Sequence, residues 1–405
     1  MSEPANRRPG IPRSVWALGF VSLLMDTSSE AVHAVLPLFL VSTLGASTIA
    51  VGLIEGFAEA IASITKLFSG TLSDRLGKRK LLTVTGYGLS AITKPVFALA
   101  GRIDWVIVAR FTDRVGKGIR GAPRDALVAD LTPPEIRGAA FGLRQSLDTV
   151  GALLGPALAL VVMSLSRDSF RLTFWVATVP AALAVLLLVS AVHEPSATRK
   201  IADATPTMSL RTLRRLGRPY WVVMLIVATF SLARFSEAFL LLRGESLGMK
   251  LAAVPIVMIV MNAVYAVSAW PAGAASDRLG RAGALAVGLV LLVLADALLA
   301  VAGGVTVLLV GVALWGLHMG FTQGVLSAMV ADRAPSELRG TAFGMTNLVL
   351  GFSALAASTI AGSLWHSYGP SATFAAGATF AFVALLALPA TRAPVAPHIR
   401  SGEQA

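Results

Sequence analysis

No cysteine occurs in the 405 residues of the chain. Its absence excludes disulfides, thiol catalysis and cysteine-ligated metal, and says nothing about redox compartment. Charge is scarce too. Only 14% of the residues are Asp, Glu, Lys or Arg, against 55% hydrophobic. A soluble domain carries about 25% charged residues, so this chain cannot cover a water-facing surface. It is equally too apolar to remain disordered. An all-α, polytopic membrane protein is what remains. Lysine is rare beside arginine, which with the alanine richness points to a bacterial genome rich in G and C. The basic excess, +12, would raise nucleic acid as a partner of a soluble protein. Beside a bilayer it reads as cationic loops facing an anionic leaflet, with membrane lipid as the partner and no nucleic acid. A phosphate-binding loop, a nucleophile elbow and an HExxH motif are all missing, so no enzyme, cofactor or metal site is expected.

What the chain does have is long apolar runs. A spanning helix needs about 20 such residues. Twelve runs are found, near 13–41, 48–71, 81–101, 104–128, 138–164, 171–192, 219–242, 251–274, 284–302, 305–330, 340–365 and 371–391. Arg7, Arg8 and Arg13 precede the first, as in a signal peptide, but Asp26 and Glu30 lie within it and no cleavage-like end follows, so it reads as a retained span. The stretch 193–218 holds Pro195, Pro206 and several cations, and reads as a cytoplasmic linker between bundles at 1–192 and 219–391, with a cytoplasmic tail at 392–405. Placing the N-terminus inside leaves only Arg102, Arg167, Arg171, Arg243 and Lys250 in outer loops. Both termini are therefore expected in the cytoplasm, in a multi-pass protein of the cytoplasmic (inner) membrane.

The two halves repeat. Residues 70–77 read GTLSDRLG and 273–280 read GAASDRLG; residues 129–142 read ADLTPPEIRGAAFG and 331–344 read ADRAPSELRGTAFG. Both matches are displaced by nearly the same number of positions. With six spans per copy, the copies share one orientation, as in transporters built from parallel repeats.

On these residues the chain resembles the major facilitator superfamily, over essentially its whole length. The run Gly70-Thr71-Leu72-Ser73-Asp74-Arg75-Leu76-Gly77-Lys78-Arg79-Lys80 fits the superfamily's loop signature between helices 2 and 3, and Gly273 to Arg281 is a weaker second copy. Gly142, Gly151, Gly155 and Pro156 fit the helix-5 pattern of antiporter-type members, with Ala159-Leu160 where that pattern ends in Gly-Gly; Asp148 lies on the same helix. The resemblance implies two six-helix bundles around a midplane cavity lined by helices 1, 4, 7 and 10. It implies a conformational latch of Gly70, Asp74, Arg75, Gly77, Arg137, Asp277 and Arg278, with Asp74 facing the start of helix 11 near Gly340 and Asp277 the start of helix 5 near Gly138. An anion is favoured at a helix N-terminus, and such a latch would hold an outward-facing state. Thr132-Pro133-Pro134-Glu135 reads as a capping box for helix 5.

Ionised side chains deep in a bilayer cost on the order of 3 kcal/mol each and are functional candidates. Helix 4 carries Arg110, Asp113, Arg114, Lys117, Arg120 and Arg124, a stripe about 21 Å long at helical rise. The repeat puts Val312, Gly316, Met319, Thr322 and Leu326 where its cations stand. The scaffold motifs survive duplication and the stripe does not. It serves either transport or ion pairing with helices 1, 2 and 5, and both are compatible. Asp26, Glu30 and Glu59 are candidates for proton coupling, because a carboxylate that gains and loses an arginine contact can bind and release a proton. Arg110, Asp113, Arg114, Lys117, Arg234, Glu237 and His318 are candidates for the solute cavity. Arg234 and Glu237, three apart, either pair with each other or leave Arg234 to meet Asp26 across the cavity. His33 and His318 read as packing residues rather than proton relays or metal ligands, and Gly116, Gly118 and Gly121 as sites of close helix contact rather than a dinucleotide loop.

The expected function is secondary active transport by a monomer, with protons and a small solute as partners. Export of a charged or zwitterionic organic solute leads. Uptake of an anionic solute or a metal chelate such as a siderophore is the alternative, and a transporter-like sensor is the reading from another class.

Overall fold

The computed structural model describes residues 11–76, 78–133, 136–194, 213–335 and 338–389. Apolar runs of this length can satisfy their backbone within lipid only as helices, and helices are what form. The first bundle comprises α1 (Arg13–Thr43), α2 (Thr48–Leu76), α3 (Arg79–Leu99), α4 (Ile103–Leu131), α5 (Arg137–Leu165) and α6 (Phe170–Ala191). The second comprises α7 (Gly217–Ser246), α8 (Leu251–Ser276), α9 (Arg278–Val301), α10 (Val305–Arg333), α11 (Arg339–Tyr368) and α12 (Pro370–Ala387). Ten of these are long and apolar enough to cross a membrane; the other two are α3 and the charge-bearing α4. Large apolar side chains such as Ile92, Leu165 and Trp270 project outward, as a lipid-facing surface requires.

Small residues set the helix spacing. A Cβ on Gly86 of α3 would lie 2.7 Å from the carbonyl oxygen of Gly116, and one on Gly118 would lie 2.5 Å from Thr65 of α2. The glycines of the G-x-G-x-x-G run thus let α4 nest between α2 and α3. On α5, a Cβ at Gly151 would meet the Leu23 carbonyl at 2.6 Å, and one at Gly155 would meet Glu30 Cβ at 2.6 Å. These two glycines seat α5 on α1 beside Asp26 and Glu30, while Gly142 faces open space.

The bundles meet along α2 and α11, where Gly56 packs on Leu355, Gly351 on Ser63 and Gly344 on Leu67. They also meet where Asn262 Nδ2 of α8 donates to the Ala152 carbonyl of α5 at 3.0 Å. Toward the end that carries the α2–α3 and α4–α5 connections, Gly138 of α5, Gly273 of α8 and Gly324 of α10 all face open space.

Two spans are interrupted. The regular part of α1 ends at His33, and the chain resumes at Leu36 and passes through a wide turn at Phe39–Thr43. In α7 the helix stops at Ala233 and resumes at Ala238, with Arg234 at φ −103 and ψ 69. By the sequence repeat the two breaks are equivalent positions. The freed Ser236 N–H donates to Ser358 Oγ of α11 at 3.1 Å.

One local expectation is corrected. Thr132 does not cap α5: its hydroxyl donates backward to the Val128 carbonyl at 2.6 Å, and α5 starts after Ile136 without a side-chain cap. Glu135, the other half of that signal, lies outside the described residues, as do Gly77, the side chains of Asp74, Arg75 and Asp277, residues 195–212 of the linker and the tail. Arg137 and Arg278 are exposed.

Candidate functional site

A cavity of about 420 Å³ lies between the bundles. Its wall takes Glu30 and His33 from α1, Glu55, Glu59 and Ser63 from α2, and Arg114 and Lys117 from α4. The second bundle adds Ser231, Arg234, Phe235, Ser236 and Glu237 from α7, and Asn347, Leu350, Gly351, Ala354 and Ser358 from α11. Both helix breaks border it. Irregular backbone at membrane depth is tolerated where it lines a cavity, and paired interruptions in the two halves of a repeat mark a binding site.

Most charges of the first bundle are tied to one another. Arg110 Nη2 donates to Glu55 Oε2 at 2.5 Å, with both side chains 2% exposed. Arg114 Nη1 is 3.3 Å from Glu59 Oε1. Lys94 Nζ donates to Asp113 Oδ1 at 3.0 Å and to Ser29 Oγ at 3.2 Å. Arg120 donates to Ser90 Oγ at 2.6 Å, covers the Tyr87 ring at 4.7 Å and is 3.9 Å from Asp26. Arg124 reaches Ser22 Oγ at 3.0 Å and Asp148 at 4.0 Å, and Asp148 accepts from Arg144 at 2.6 Å. The α4 stripe therefore laces α1, α2, α3 and α5 together, which is how buried charges persist.

Three wall charges stand apart. Among the described residues, Lys117, Arg234 and Glu237 have no oppositely charged group within 4.0 Å. The break in α7 separates Arg234 from Glu237, so the two do not pair, and Arg234 Nε has no hydrogen-bond partner. Arg234 instead lies over the Phe230 ring at 5.8 Å. It does not meet Asp26, which sits beside Arg120.

The wall differs from the one the resemblance implies. His318 of α10 is fully buried, packed 5.5 Å from the Trp315 ring and 6.4 Å from Phe230, away from the cavity. Asp26, Arg110 and Asp113 also lie behind the wall rather than on it. In place of α10, the small-residue contact of α2 with α11 brings Ser63, Asn347 and Ser358 to the wall. Sequence reasoning passed over these neutral residues because nothing separates them from packing serines. The available signal was the polar Arg234–Glu237 stretch inside an apolar span.

A model of the Major Facilitator Superfamily matches residues 18–261 and 235–404. An uncharacterised MFS-type transporter of Methanocaldococcus jannaschii is 31% identical over 385 residues, covering 93% of this chain and 94% of the relative. The quinolone resistance protein NorA of Staphylococcus aureus is 23% identical over 236 residues, covering 58% of this chain and 59% of that protein. The crystal structure of the nucleoside transporter NupG superposes with a TM-score of 0.77 at 17% identity, covering 94% of this chain and all of that one, a likeness of fold. With twelve helices in two bundles around a charged cavity, the chain is a transporter rather than an enzyme, and it belongs to the major facilitator superfamily.

Proposed function

We propose that the protein exports a small zwitterionic or anionic organic solute in exchange for protons, by rocking of its two bundles. The observation that carries this reading is the trio of uncommitted wall charges. Lys117 from one bundle and Arg234 from the other can take an anionic group between them, and Glu237 can take a cationic one. Such groups are worth about 1.5–3 kcal/mol per charged hydrogen bond to a solute that fits them. A lipophilic compound would leave all three unpaired. Export is favoured by the helix-5 pattern at Gly142, Gly151, Gly155 and Pro156, and by the distant similarity to NorA. Asp26, Glu30 and Glu59 are the coupling carboxylates in this reading, each next to a cation or imidazole that a rocking motion can bring closer or remove.

The topology follows the same reading. The protein acts as a monomer in the cytoplasmic membrane, with bundles at 1–192 and 219–391, a cytoplasmic linker at 193–218 and both termini inside. The α2–α3 connection is then cytoplasmic, and Asp74 and Asp277 would grip the opposite bundle when that end closes. Net flux from proteoliposomes under an imposed pH gradient tests the function, with solutes chosen by comparing metabolites held by cells with and without the protein. Solute exchange against protons is expected. Flux no greater than from protein-free liposomes overturns the reading.

A further inference from the structure

We propose that His33, between Glu30 and Glu55, is a further proton-binding site beside the coupling carboxylates, and that protonation of this ring clamps α1 to α2. The proposal deepens the proton-coupled reading and rests on it for its role in transport; the proton site itself stands on geometry alone.

His33 closes the regular part of α1 and lines the cavity, so water can bring a proton to it. Its Nδ1 lies 3.5 Å from Glu30 Oε2 and its Nε2 lies 3.7 Å from Glu55 Oε2. Each ring nitrogen thus faces a carboxylate. A neutral imidazole has one N–H and one lone pair, so it necessarily turns a lone pair toward one of the two anions. Only the imidazolium donates to both. The Nε2 contact is not yet a hydrogen bond, since it exceeds hydrogen-bond length, and Nε2 and Glu55 Oε1 have no partner. The arrangement has room to tighten when charge is added.

Charges of both signs surround the ring. Glu55 and Glu59 face it from α2 and Glu237 from α7, while Arg110, Arg114 and Lys117 of α4 and Arg234 of α7 oppose them. At this level α5 and α6 bring Gly155 and Ala177 to α1, neither of which titrates. Arg110 anchors Glu55 to α4, so a clamp from His33 to Glu55 joins α1, α2 and α4 as one unit. By the repeat, the position equivalent to His33 in α7 is Phe235, which cannot ionise. The step balances simply: a proton from cavity water bonds to the ring lone pair, no bond to carbon breaks, and the same proton leaves when the ring meets solvent on the other side.

The lack of native cysteine makes labelling clean. Spin labels on Gly138→Cys and Gly273→Cys, both in open space, report the separation of α5 and α8 by pulsed dipolar spectroscopy in lipid nanodiscs. In the otherwise wild-type chain the distance distribution is expected to change between acidic and alkaline buffer. His33→Gln is expected to abolish that response, and the control His193→Gln to keep it. A second measurement does not depend on how well the variant folds. Nitrogen NMR of histidine-labelled protein should show the His33 ring passing between its one-proton and two-proton forms across the same range. An unchanged distance in the parent, a full response in His33→Gln, or a ring that stays in one form overturns the proposal. Solute flux without any pH response of the labels rejects the His33 site and leaves transport standing. A His33-dependent response without solute flux supports the proton site and rejects the transport reading.

Discussion

Lys94→Met should destabilise the protein sharply, and Asp113→Leu added to it should restore most of the loss. The pair is 3.0 Å apart, with side chains 1% and 5% exposed. At an effective dielectric of 20 that separation corresponds to about 5 kcal/mol of attraction. Removing one partner leaves the other charge buried and unmatched, at a cost of about 3–5 kcal/mol. Removing both replaces the pair with apolar side chains, Met close to Lys in size and Leu somewhat larger than Asp, and well-packed apolar replacements of an ion pair are near neutral or stabilising. The double variant is expected within about 1 kcal/mol of the wild type. Reversible unfolding in mixed micelles, followed by circular dichroism, measures all four corners of the cycle. Single variants that each cost under about 1 kcal/mol and simply add would refute the claim that this pair is a structural tie behind the wall.

Other expectations follow from the same geometry. Asp26→Asn and Glu30→Gln should each abolish flux driven by a pH gradient while leaving the melting profile intact; undiminished flux in both rejects the coupling assignment. Arg114→Ala should weaken solute binding at least about tenfold more than Arg124→Ala, because Arg114 is on the wall and Arg124 is tied to Ser22 behind it; equal affinities by calorimetry count against that. Gly351→Val puts a Cβ 2.6 Å from Ser63 Cβ and should cost about 1–3 kcal/mol by overpacking the α2–α11 contact, whereas Gly138→Val, in open space, should leave the melting temperature unchanged.

The scaffold was largely readable from the sequence. Apolar runs marked all twelve helices, α4 among them although its charges lower its hydropathy, and ten of the twelve are long and apolar enough to cross a membrane. The G-x-G-x-x-G run predicted close contacts, and Gly116 on Gly86 and Gly118 on Thr65 make them, whereas Gly121 does not. The site was less legible, because pairing is a property of three dimensions. Spacing alone could not say that Asp113 would find Lys94 on α3, or that a break would part Arg234 from Glu237. Nor could it say that His318 would turn into an aromatic cluster and yield its place on the wall to Ser63 and Asn347. Polar residues of one helix stripe look alike in sequence, and only packing sorts those that hold helices together from those that face the cavity.

The central claim is that the uncommitted wall charges serve a travelling solute. It is tested most directly by measuring solute and proton flux together in liposomes carrying the wild-type chain or the Lys117→Gln/Arg234→Gln variant. The wild type is expected to move solute against protons, and the variant to lose that flux at an unchanged melting temperature. Equal flux from the two proteins would contradict the account.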